Sequence, residues 1–178
     1  NIMETNFRED RMYAANSTFL TMLPVKLLSG VDSIALDDPY TAVISESIAK
    51  KYYGDINVTG KTFRLNKTAV FRITGVFKDV PDNSHFKFNI LLSWPTYVRW
   101  NGPDVETAWQ WDGYYTYIRL LKGTDIQAFE KKMNDFTDKQ TQADKIQYNQ
   151  YARYILQPFT SIHLTSNLMF ETEVNADA

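Results

Sequence analysis

One stretch of the chain, residues 43–88, constrains the fold more than any other. It reads VISESIAKKYYGDINVTGKTFRLNKTAVFRITGVFKDVPDNSHFKF. Its pattern predicts a short helix, a glycine stop, a β-hairpin and a further strand. Very few of its residues could act in catalysis, so the stretch predicts a scaffold whose shape matters. Function should therefore be sought in mechanics or binding before catalysis.

The helix within this stretch is indicated by signals at both ends. Residues 41–44 form a short apolar strand, and Ser45 then provides an N-cap. Glu46 falls in the first turn, near the positive end of the helix dipole. Gly54 follows the last helical residue, at the position where glycine commonly ends a helix. The sequence therefore predicts a helix between Ser45 and Gly54.

A β-hairpin is predicted next, because the apolar period changes to two from Gly60 onward. Phe63 and Leu65 alternate with polar residues, and Asn66-Lys67 can make the turn. The returning chain then supplies the second strand of the hairpin.

The second strand carries an unusual glycine. Phe71, Ile73 and Phe77 share one predicted face, and Gly75 occupies the remaining position of that face. A glycine inside a strand suggests a β-bulge or a close backbone neighbour. Alternation of apolar and polar residues resumes over residues 86–92, which predicts another half-buried strand.

The remaining elements lie outside this central stretch. We predict strands at residues 11–15, 114–121 and 153–159. A short helix is predicted at residues 18–23, capped by Asn16 or Ser17. A long helix is predicted from a Thr124–Gln127 capping box to about residue 142. Residues 93–113, interrupted by Pro95 and Pro103, are the least regular part.

The order of these elements indicates the fold class. Strands and helices are mixed without regular βαβ alternation, and no Gly-rich turn joins a strand to a helix. The whole chain has only 7 glycines. These features argue against a doubly wound nucleotide-binding fold. The sequence predicts an α+β fold.

Composition excludes several classes of protein. The chain of 178 residues has a net charge of -2 and no basic stripe, so no nucleic-acid partner is expected. It has no cysteine, which excludes disulfides and thiolate chemistry. No apolar run approaches the roughly 20 residues that a membrane helix needs. The chain begins at Asn1-Ile2-Met3 without a signal peptide, which we interpret as a fragment excised from a longer protein.

A search for chemistry yields no catalytic, cofactor-binding or metal-binding residue. Gly60-Lys61-Thr62 resembles only the tail of a P-loop, lacks its first glycine and leads into a strand. The two histidines, His85 and His163, could meet and bind a metal only with further ligands. We interpret each histidine as a hydrogen-bonding residue of a turn or an edge. The sequence therefore predicts no enzyme and no cofactor.

The one candidate site is an aromatic cluster. Its members are Trp94, Tyr97, Trp100, Trp109 and Trp111. Exposed Trp and Tyr side chains stack on sugars, peptide side chains or apolar small molecules. The alternative is that these side chains pack under an irregular loop between two subdomains. Solvent exposure distinguishes these two interpretations, because burial of Trp100, Trp109 and Trp111 together would remove the binding platform.

Several segments together resemble a known family. VISESIAKKYYGDINVTGKTF and FRITGVFKDVPDNSHFKFNILLS are similar to the extracytoplasmic core domain of MacB-like and FtsX-like ABC transporter permeases, especially versions common in Bacteroidetes. STFLTMLPVKLLSG before them, YTYIRLLKGTDIQAF after them and Ser161-Ile162-His163-Leu164 extend the resemblance over most of the chain. Residues 94–111 contribute least to this resemblance.

The resemblance implies an architecture. Such a domain lies between the first two transmembrane helices of a permease, with a discontinuous porter-like α/β subdomain and an inserted, mainly β, sabre-like subdomain. In this sequence residues 1–53 and 114–178 would be porter-like, and residues 54–113 would be the insert. Residues 54–60 would then join two moving parts, and Gly60→Pro would stiffen that junction.

The resemblance also implies a role and partners. The domain would carry no catalytic residue and would couple cytoplasmic ATP hydrolysis to periplasmic movement, for export or for lipoprotein, peptide or antibiotic handling. Its partners would be a cytoplasmic ABC ATPase, a second permease copy, and a periplasmic adaptor or substrate. It would lie on the periplasmic side of a bacterial inner membrane. The alternative is a ligand-binding or sensing module that uses the aromatic residues between 94 and 117.

Overall fold

A computed structural model describes residues 7–81, 84, 86–107, 109, 113–149 and 151–165 of the chain. The chain divides into two compact units between Pro103 and Asp104. The first unit contains a sheet with its helices, and the described part of the second unit contains helices but no strand.

The elements of the first unit are β1 (Met12–Ala15), α1 (Ser17–Met22), β2 (Leu27–Ser29), β3 (Thr41–Ser45), α2 (Glu46–Tyr53), β4 (Thr62–Leu65), β5 (Ala69–Phe77), β6 (Ile90–Ser93) and α3 (Trp94–Asn101). A 3-10 turn spans Pro103–Glu106. The second unit contains α4 (Ile126–Gln140), α5 (Gln142–Tyr148) and α6 (Phe159–Thr165). This mixture of helices and strands confirms the predicted α+β class.

The six strands form one mixed sheet in the order β1-β6-β3-β5-β2, and β4 also pairs with β5. β3 lies parallel to β5 and antiparallel to β6, while β1 lies parallel to β6. β2 and β4 are both antiparallel to β5. Every residue of β3 and β6 is buried, as expected for strands covered on both faces.

Strands from both of the residue ranges that the resemblance assigns to separate subdomains lie in one sheet. β4, β5 and β6, from residues 54–113, pair in the same sheet as β1, β2 and β3, from residues 1–53. The division between compact units falls at Pro103 instead. Sequence patterns locate strands but do not show which strands pair. The names porter-like and sabre-like for these residue ranges stay predictions.

The predicted caps of α2 are confirmed. The Ser45 hydroxyl accepts a hydrogen bond from the backbone N–H of Ile48 at 3.3 Å. Gly54 ends the helix with φ 69° and donates its N–H to the carbonyl of Lys50. The Lys50 ammonium also reaches Glu46 one turn earlier, at 2.5 Å. Local sequence signals therefore fix this helix at both ends.

The predicted hairpin is also confirmed. β4 and β5 pair from Leu65↔Ala69 to Thr62↔Arg72. Asn66 and Lys67 have φ values of 51° and 64°. Positive φ at both central residues gives the turn the twist that suits a β-hairpin.

The predicted bulge in β5 is present, and it moves Phe77 to the opposite face of the strand from the one expected. The register with β3 shifts between Ala42↔Ile73 and Val43↔Gly75, so Thr74 is the extra residue. Val76 therefore joins the cluster that contains Phe71 and Ile73. Phe77 packs instead against Phe88, with ring centroids 5.2 Å apart. The expectation that Phe77 shares a face with Phe71 was wrong, because the extra residue changes the alternation.

Residues 54–60 are fastened to the sheet. The N–H of Gly60 donates to the carbonyl of Ile73 at 2.7 Å, and Val58 is fully buried in the core. Gly60 has φ 90°, whereas proline requires φ near -65° and has no N–H. Gly60→Pro would therefore remove a hydrogen bond and force the backbone to change. It cannot serve as a simple stiffening substitution.

Part of the region expected to be irregular forms α3. Pro95 lies in the first turn of this helix, where its missing N–H has no helical partner to lose. Gly102 follows the last residue of the helix, and its N–H donates to the carbonyl of Val98 at 2.8 Å. The prediction for residues 93–113 was therefore wrong over Trp94–Asn101, because proline was taken as a break.

The second unit departs further from the sequence prediction. α4 is capped by Asp125, which accepts from the N–H of Ala128 at 3.0 Å, and Thr124 does not act as the cap. Residues 114–121 and 153–158 are not strands, and α6 begins at Phe159. A strand requires a paired backbone, which an alternating sequence pattern cannot supply.

Candidate functional site

Three of the five predicted aromatic residues lie on α3. Trp94 and Tyr97 are half-buried, and their rings stack with centroids 5.0 Å apart. Their spacing of three residues places them on one side of the helix. Trp100 is 48% exposed and is the most accessible member of this set that the structure describes.

Trp100 packs edge-on against two rings of the sheet layer. Its centroid lies 5.8 Å from that of Phe71 and 6.5 Å from that of Tyr40. Phe71 is fully buried and stacks on Phe63. One side of the Trp100 indole is therefore fixed by the core while the rest faces solvent.

Tyr40 is held in a conformation that is uncommon for a residue with a Cβ. Its φ is 57°. Its N–H donates to the Thr96 hydroxyl at 2.6 Å, and its carbonyl accepts from the N–H of Arg72 at 2.9 Å. Thr96 is buried and shares a hydrogen bond of 2.7 Å with Ser93. These bonds position the Tyr40 ring beside Trp100.

The structure describes only one of the other two predicted residues. Trp109 lies in the second unit, half-buried, with its ring centroid 5.6 Å from that of Phe136. Trp111 lies outside the described residues. Because Trp100 is exposed, the condition that would remove the binding platform is not met. The ligand-contact role of the five residues stays a prediction.

A second candidate region, which the sequence did not reveal, joins the N-terminal segment to α2. The Phe7 ring stacks on Tyr52 with centroids 4.5 Å apart, and the Lys51 ammonium lies 5.1 Å from the Phe7 centroid. Glu9 accepts hydrogen bonds from Lys51 at 2.6 Å and from the Tyr52 hydroxyl at 3.1 Å. Burial and the Glu9 carboxylate raise the pKa of Tyr52.

This region continues directly into the sheet. The carbonyl of Arg11 accepts from the N–H of Asn89 at 2.9 Å, and β1 then pairs with β6 from Met12↔Ile90 to Ala15↔Ser93. Residues 7–15 are thus held by side chains on α2 and by the backbone ladder of β6. About 42 residues separate Glu9 from Lys51 in sequence, so no local pattern could have indicated the contact.

The other sequence candidates show no catalytic arrangement among the described residues. Lys61, in the P-loop-like tripeptide, places its ammonium 5.1 Å from the ring centroid of Tyr53. His85 lies outside the described residues, and His163 lies in α6. Over the described part of the chain, no group of three or more His, Asp and Glu side chains could hold a metal ion. No described helix combines the length and apolar character needed to cross a bilayer.

Comparison with known proteins identifies the family. The model of the MacB-like periplasmic core domain family matches residues 2–136. A crystal structure of a domain from a Porphyromonas gingivalis protein described as a permease has a TM-score of 0.63 and 30% identity, over 78% of this chain and 64% of that chain. The periplasmic region of MacB from Actinobacillus actinomycetemcomitans has a TM-score of 0.47 and 15% identity, over 77% and 64%.

The chain spans slightly less than two thirds of the length of both solved chains. No curated protein matches it. The family match covers most of the chain and includes the whole sheet of the first unit. This chain belongs to the MacB-like periplasmic core domain family.

Proposed function

We propose that this chain is a non-catalytic extracytoplasmic domain of an ABC transporter permease that couples cytoplasmic ATP hydrolysis to periplasmic conformational change. Its partners are then a cytoplasmic ABC ATPase, a second permease copy, and a periplasmic adaptor or substrate. Export, including antibiotic efflux, and lipoprotein or peptide handling are the transport roles that this proposal includes. Membership of the MacB-like family supports the proposal.

The observation that carries the proposal is the double attachment of residues 7–15. A mechanical module must receive movement at one point and pass it on without local deformation. Here the N-terminal segment is bound to α2 through Phe7 and Glu9 and to β6 through β1. Movement of this segment would therefore carry the helix and the sheet with it, since packed interiors transmit strain.

The interior of the first unit suits such a role. The core cluster beneath α2 contains fully buried residues of β3, β5 and β6, among them Ile44, Ile73 and Ile90. The opposite face is closed by aromatic side chains, with Phe19 edge-on to both Phe86 and Phe88. A sheet packed on both faces deforms little, so it moves as a body rather than bending.

Weakening the N-terminal attachment tests this proposal. In the full-length permease with its ATPase, the double substitution Phe7→Ala and Glu9→Gln should leave ATP hydrolysis near its wild-type rate and reduce the ATP-dependent movement of the domain. Arg8→Ala is the matched control, because Arg8 is 91% exposed and pairs with exposed Asp10. Equal movement in the double variant and the control would contradict the proposed role of the attachment.

A second candidate function is ligand binding or sensing at the aromatic residues. The exposure of Trp100 beside the positioned ring of Tyr40 favours it. Calorimetry of the chain against panels of peptides, antibiotics and glycans should then detect a ligand whose binding is lost in Trp100→Ala. Lack of binding at millimolar ligand, or binding that Trp100→Ala leaves unchanged, would count against this function.

A further inference from the structure

The loop that connects β2 to β3, residues 30–40, presents apolar side chains to solvent. Val31 is 55% exposed and Ile34 is 61% exposed, and Leu28, on the strand that leads into the loop, is 42% exposed. A single exposed apolar side chain is ordinary on a protein surface. Several close together along the chain, bordered by polar residues, are typical of an interaction site. The β2–β3 loop is therefore a candidate interaction surface.

The β2–β3 loop is anchored on both sides of its exposed residues. Gly30 has φ 94° and lies so close to β5 that a Cβ there would be 2.4 Å from the carbonyl oxygen of Thr74. The Thr74 hydroxyl donates to the carbonyl of Ala35 at 2.6 Å. The N–H of Leu36, which is fully buried, donates to the Ser17 hydroxyl at 2.9 Å. The loop is thus held by α1 and by the bulge of β5.

Two hydrogen bonds within the loop fix which residues face outward. The N–H of Ile34 donates to the carbonyl of Val31, and the N–H of Asp37 donates to the carbonyl of Ile34, both at 3.2 Å. Each bond joins residues three apart, the spacing at which side chains align in a tight turn of the 3-10 type. Ala35 and Leu36 are buried instead. The loop therefore presents two apolar side chains and a carboxylate in a preorganised arrangement.

Carboxylates border the exposed apolar side chains. Asp32 and Asp37 are both exposed, and among the described residues neither side chain forms an ion pair or a hydrogen bond. Asp38 is exposed as well and pairs with Arg72 at 3.4 Å. The nearest cation along the chain, Lys26, precedes β2. The negative charge of Asp32 and Asp37 is therefore available to a partner.

We propose that the β2–β3 loop is the docking surface for a protein segment in which apolar side chains adjoin lysine or arginine. Val31 and Ile34 cover the apolar side chains of that segment, and Asp32 and Asp37 bind its cations, since opposite charges give such contacts their specificity. The same carboxylates disfavour other occupants. They repel an anionic lipid surface, and a two-fold contact with a second copy would set them against each other.

The docking surface extends the proposed function and rests on it, because the occupant is then the periplasmic adaptor or substrate. The place of contact and the chemistry of the partner are the new elements. A permease that moves with ATP but binds nothing at the loop would refute the docking surface alone. A permease that binds at the loop but does not move would refute the proposed function alone.

A labelled peptide tests the chemistry of the surface. The probe is a short peptide of leucine and lysine, and its counterpart has glutamate in place of lysine. Fluorescence anisotropy with the 178-residue chain should show saturable binding of the lysine peptide, weakened about tenfold or more by joint Val31→Ser and Ile34→Ser. Val70→Ser is the matched control, because Val70 is an apolar residue of the hairpin and is 48% exposed.

Three results of this titration would overturn the proposal. They are equal affinity for the lysine and glutamate peptides, equal loss of affinity in the loop variant and the Val70→Ser control, and no saturable binding at millimolar peptide. All the substituted side chains are exposed, so thermal unfolding should show that the variants fold like the wild-type chain.

Joint Asp32→Asn and Asp37→Asn tests the acidic border. The double variant should bind the lysine peptide more weakly than the wild-type chain does, and its affinity should depend less on salt concentration. Salt screens the attraction between charges and leaves apolar burial in place. Asp10→Asn is the control, because Asp10 is exposed and lies outside the loop. Unchanged affinity and salt dependence in the double variant would overturn the proposal.

Photo-cross-linking in the full-length permease identifies the occupant. A benzophenone amino acid replaces Ile34 in cells that produce the permease and its ATPase, and mass spectrometry maps the product. The expected product is a protein segment with apolar residues beside lysine or arginine, and joint Asp32→Asn and Asp37→Asn should reduce its yield. The same amino acid at Val70 is the control. A lipid product, a second permease copy, an acidic segment, equal products at both positions or no product overturns the proposal.

Discussion

The Glu9 carboxylate lies 2.6 Å from the Lys51 ammonium and joins the N-terminal segment to α2. The Glu9 side chain is only 9% exposed, while Lys51 is 43% exposed. The same carboxylate oxygen accepts from the Tyr52 hydroxyl. A nearly buried carboxylate with two donors is a stronger contact than an ordinary surface ion pair.

Glu9→Gln should lower the free energy of unfolding by about 1–2 kcal/mol, because it replaces charge-assisted hydrogen bonds with neutral ones. Chemical denaturation of the chain measures this change. Asp10→Asn is the control: Asp10 pairs with Arg8 on the surface, with side chains 76% and 91% exposed. That substitution should change stability by less than about 0.5 kcal/mol. Equal losses in the two variants would contradict the importance assigned to Glu9.

Gly75→Ala should destabilise the chain by about 1–3 kcal/mol through overpacking. A Cβ at Gly75 would lie 2.9 Å from the carbonyl oxygen of Ser29 and 3.2 Å from a methyl carbon of Val43. Gly54→Ala is the contrasting variant, because its Cβ meets open space and only its φ of 69° opposes alanine. Thermal unfolding should show a lower Tm for Gly75→Ala than for the wild-type chain. An unchanged Tm for Gly75→Ala would contradict the close approach of β2 to β5.

Lys67→Gly should stabilise the chain by about 0.5–1 kcal/mol, because Lys67 occupies φ 64° in the hairpin turn. The substitution creates an Asn-Gly turn, the preferred pair for this geometry. Thr68→Gly, next along the chain, is the control and should not stabilise, because Thr68 is not in the positive-φ region. Denaturant unfolding of both variants gives the comparison. Destabilisation by Lys67→Gly would contradict the turn geometry.

Asp138 should give the chain a pH-dependent contribution to stability. Hydrogen bonds from Arg153 and Lys145 lower the pKa of Asp138 from 3.8 to about 2. Because the folded-state pKa is depressed, the contribution is complete above about pH 4 and is lost as pH falls through about pH 2. The Tm difference between wild type and Asp138→Asn should therefore be greatest near neutral pH and shrink between pH 4 and pH 2.

Asp135→Asn is the matched control for this titration. Asp135 lies on the same helix and pairs with exposed Lys131 at 2.6 Å. Its removal should leave a smaller Tm change at neutral pH than Asp138→Asn. A constant Tm difference for Asp138→Asn across the acid range would contradict the assigned ion pairs.

The sequence predicted the elements that local residues determine. Ser45 and Gly54 cap α2 because these residue types favour the cap conformations. Asn66 begins the hairpin turn because asparagine tolerates positive φ. The sequence could not predict which strands pair, since pairing depends on contacts distant along the chain. The merger of residues 1–53 and 54–113 into one sheet follows from such contacts.

Other errors have specific physical causes. The extra residue at Thr74 places Phe77 on the opposite face of β5 from the one predicted. A bulge changes which residues share a face of the strand, and no sequence signal marks it decisively. Pro95 was taken as a break although it lies in the first turn of α3. For the candidate site, the aromatic residues were visible in the sequence. The exposure of Trp100 and the attachment of Glu9 to α2 depend on tertiary packing. Neither could be predicted from the sequence.

ATP-dependent movement of the domain can be tested directly by one measurement. The full-length permease and its ATPase are placed in nanodiscs that contain acceptor-labelled lipid. A donor dye on Lys67→Cys, at the exposed hairpin turn, reports its distance from the membrane by energy transfer. If the domain moves with ATP, transfer efficiency should change on ATP binding and return to its starting value after hydrolysis. Identical efficiency with and without ATP, in a complex that hydrolyses ATP, would contradict it.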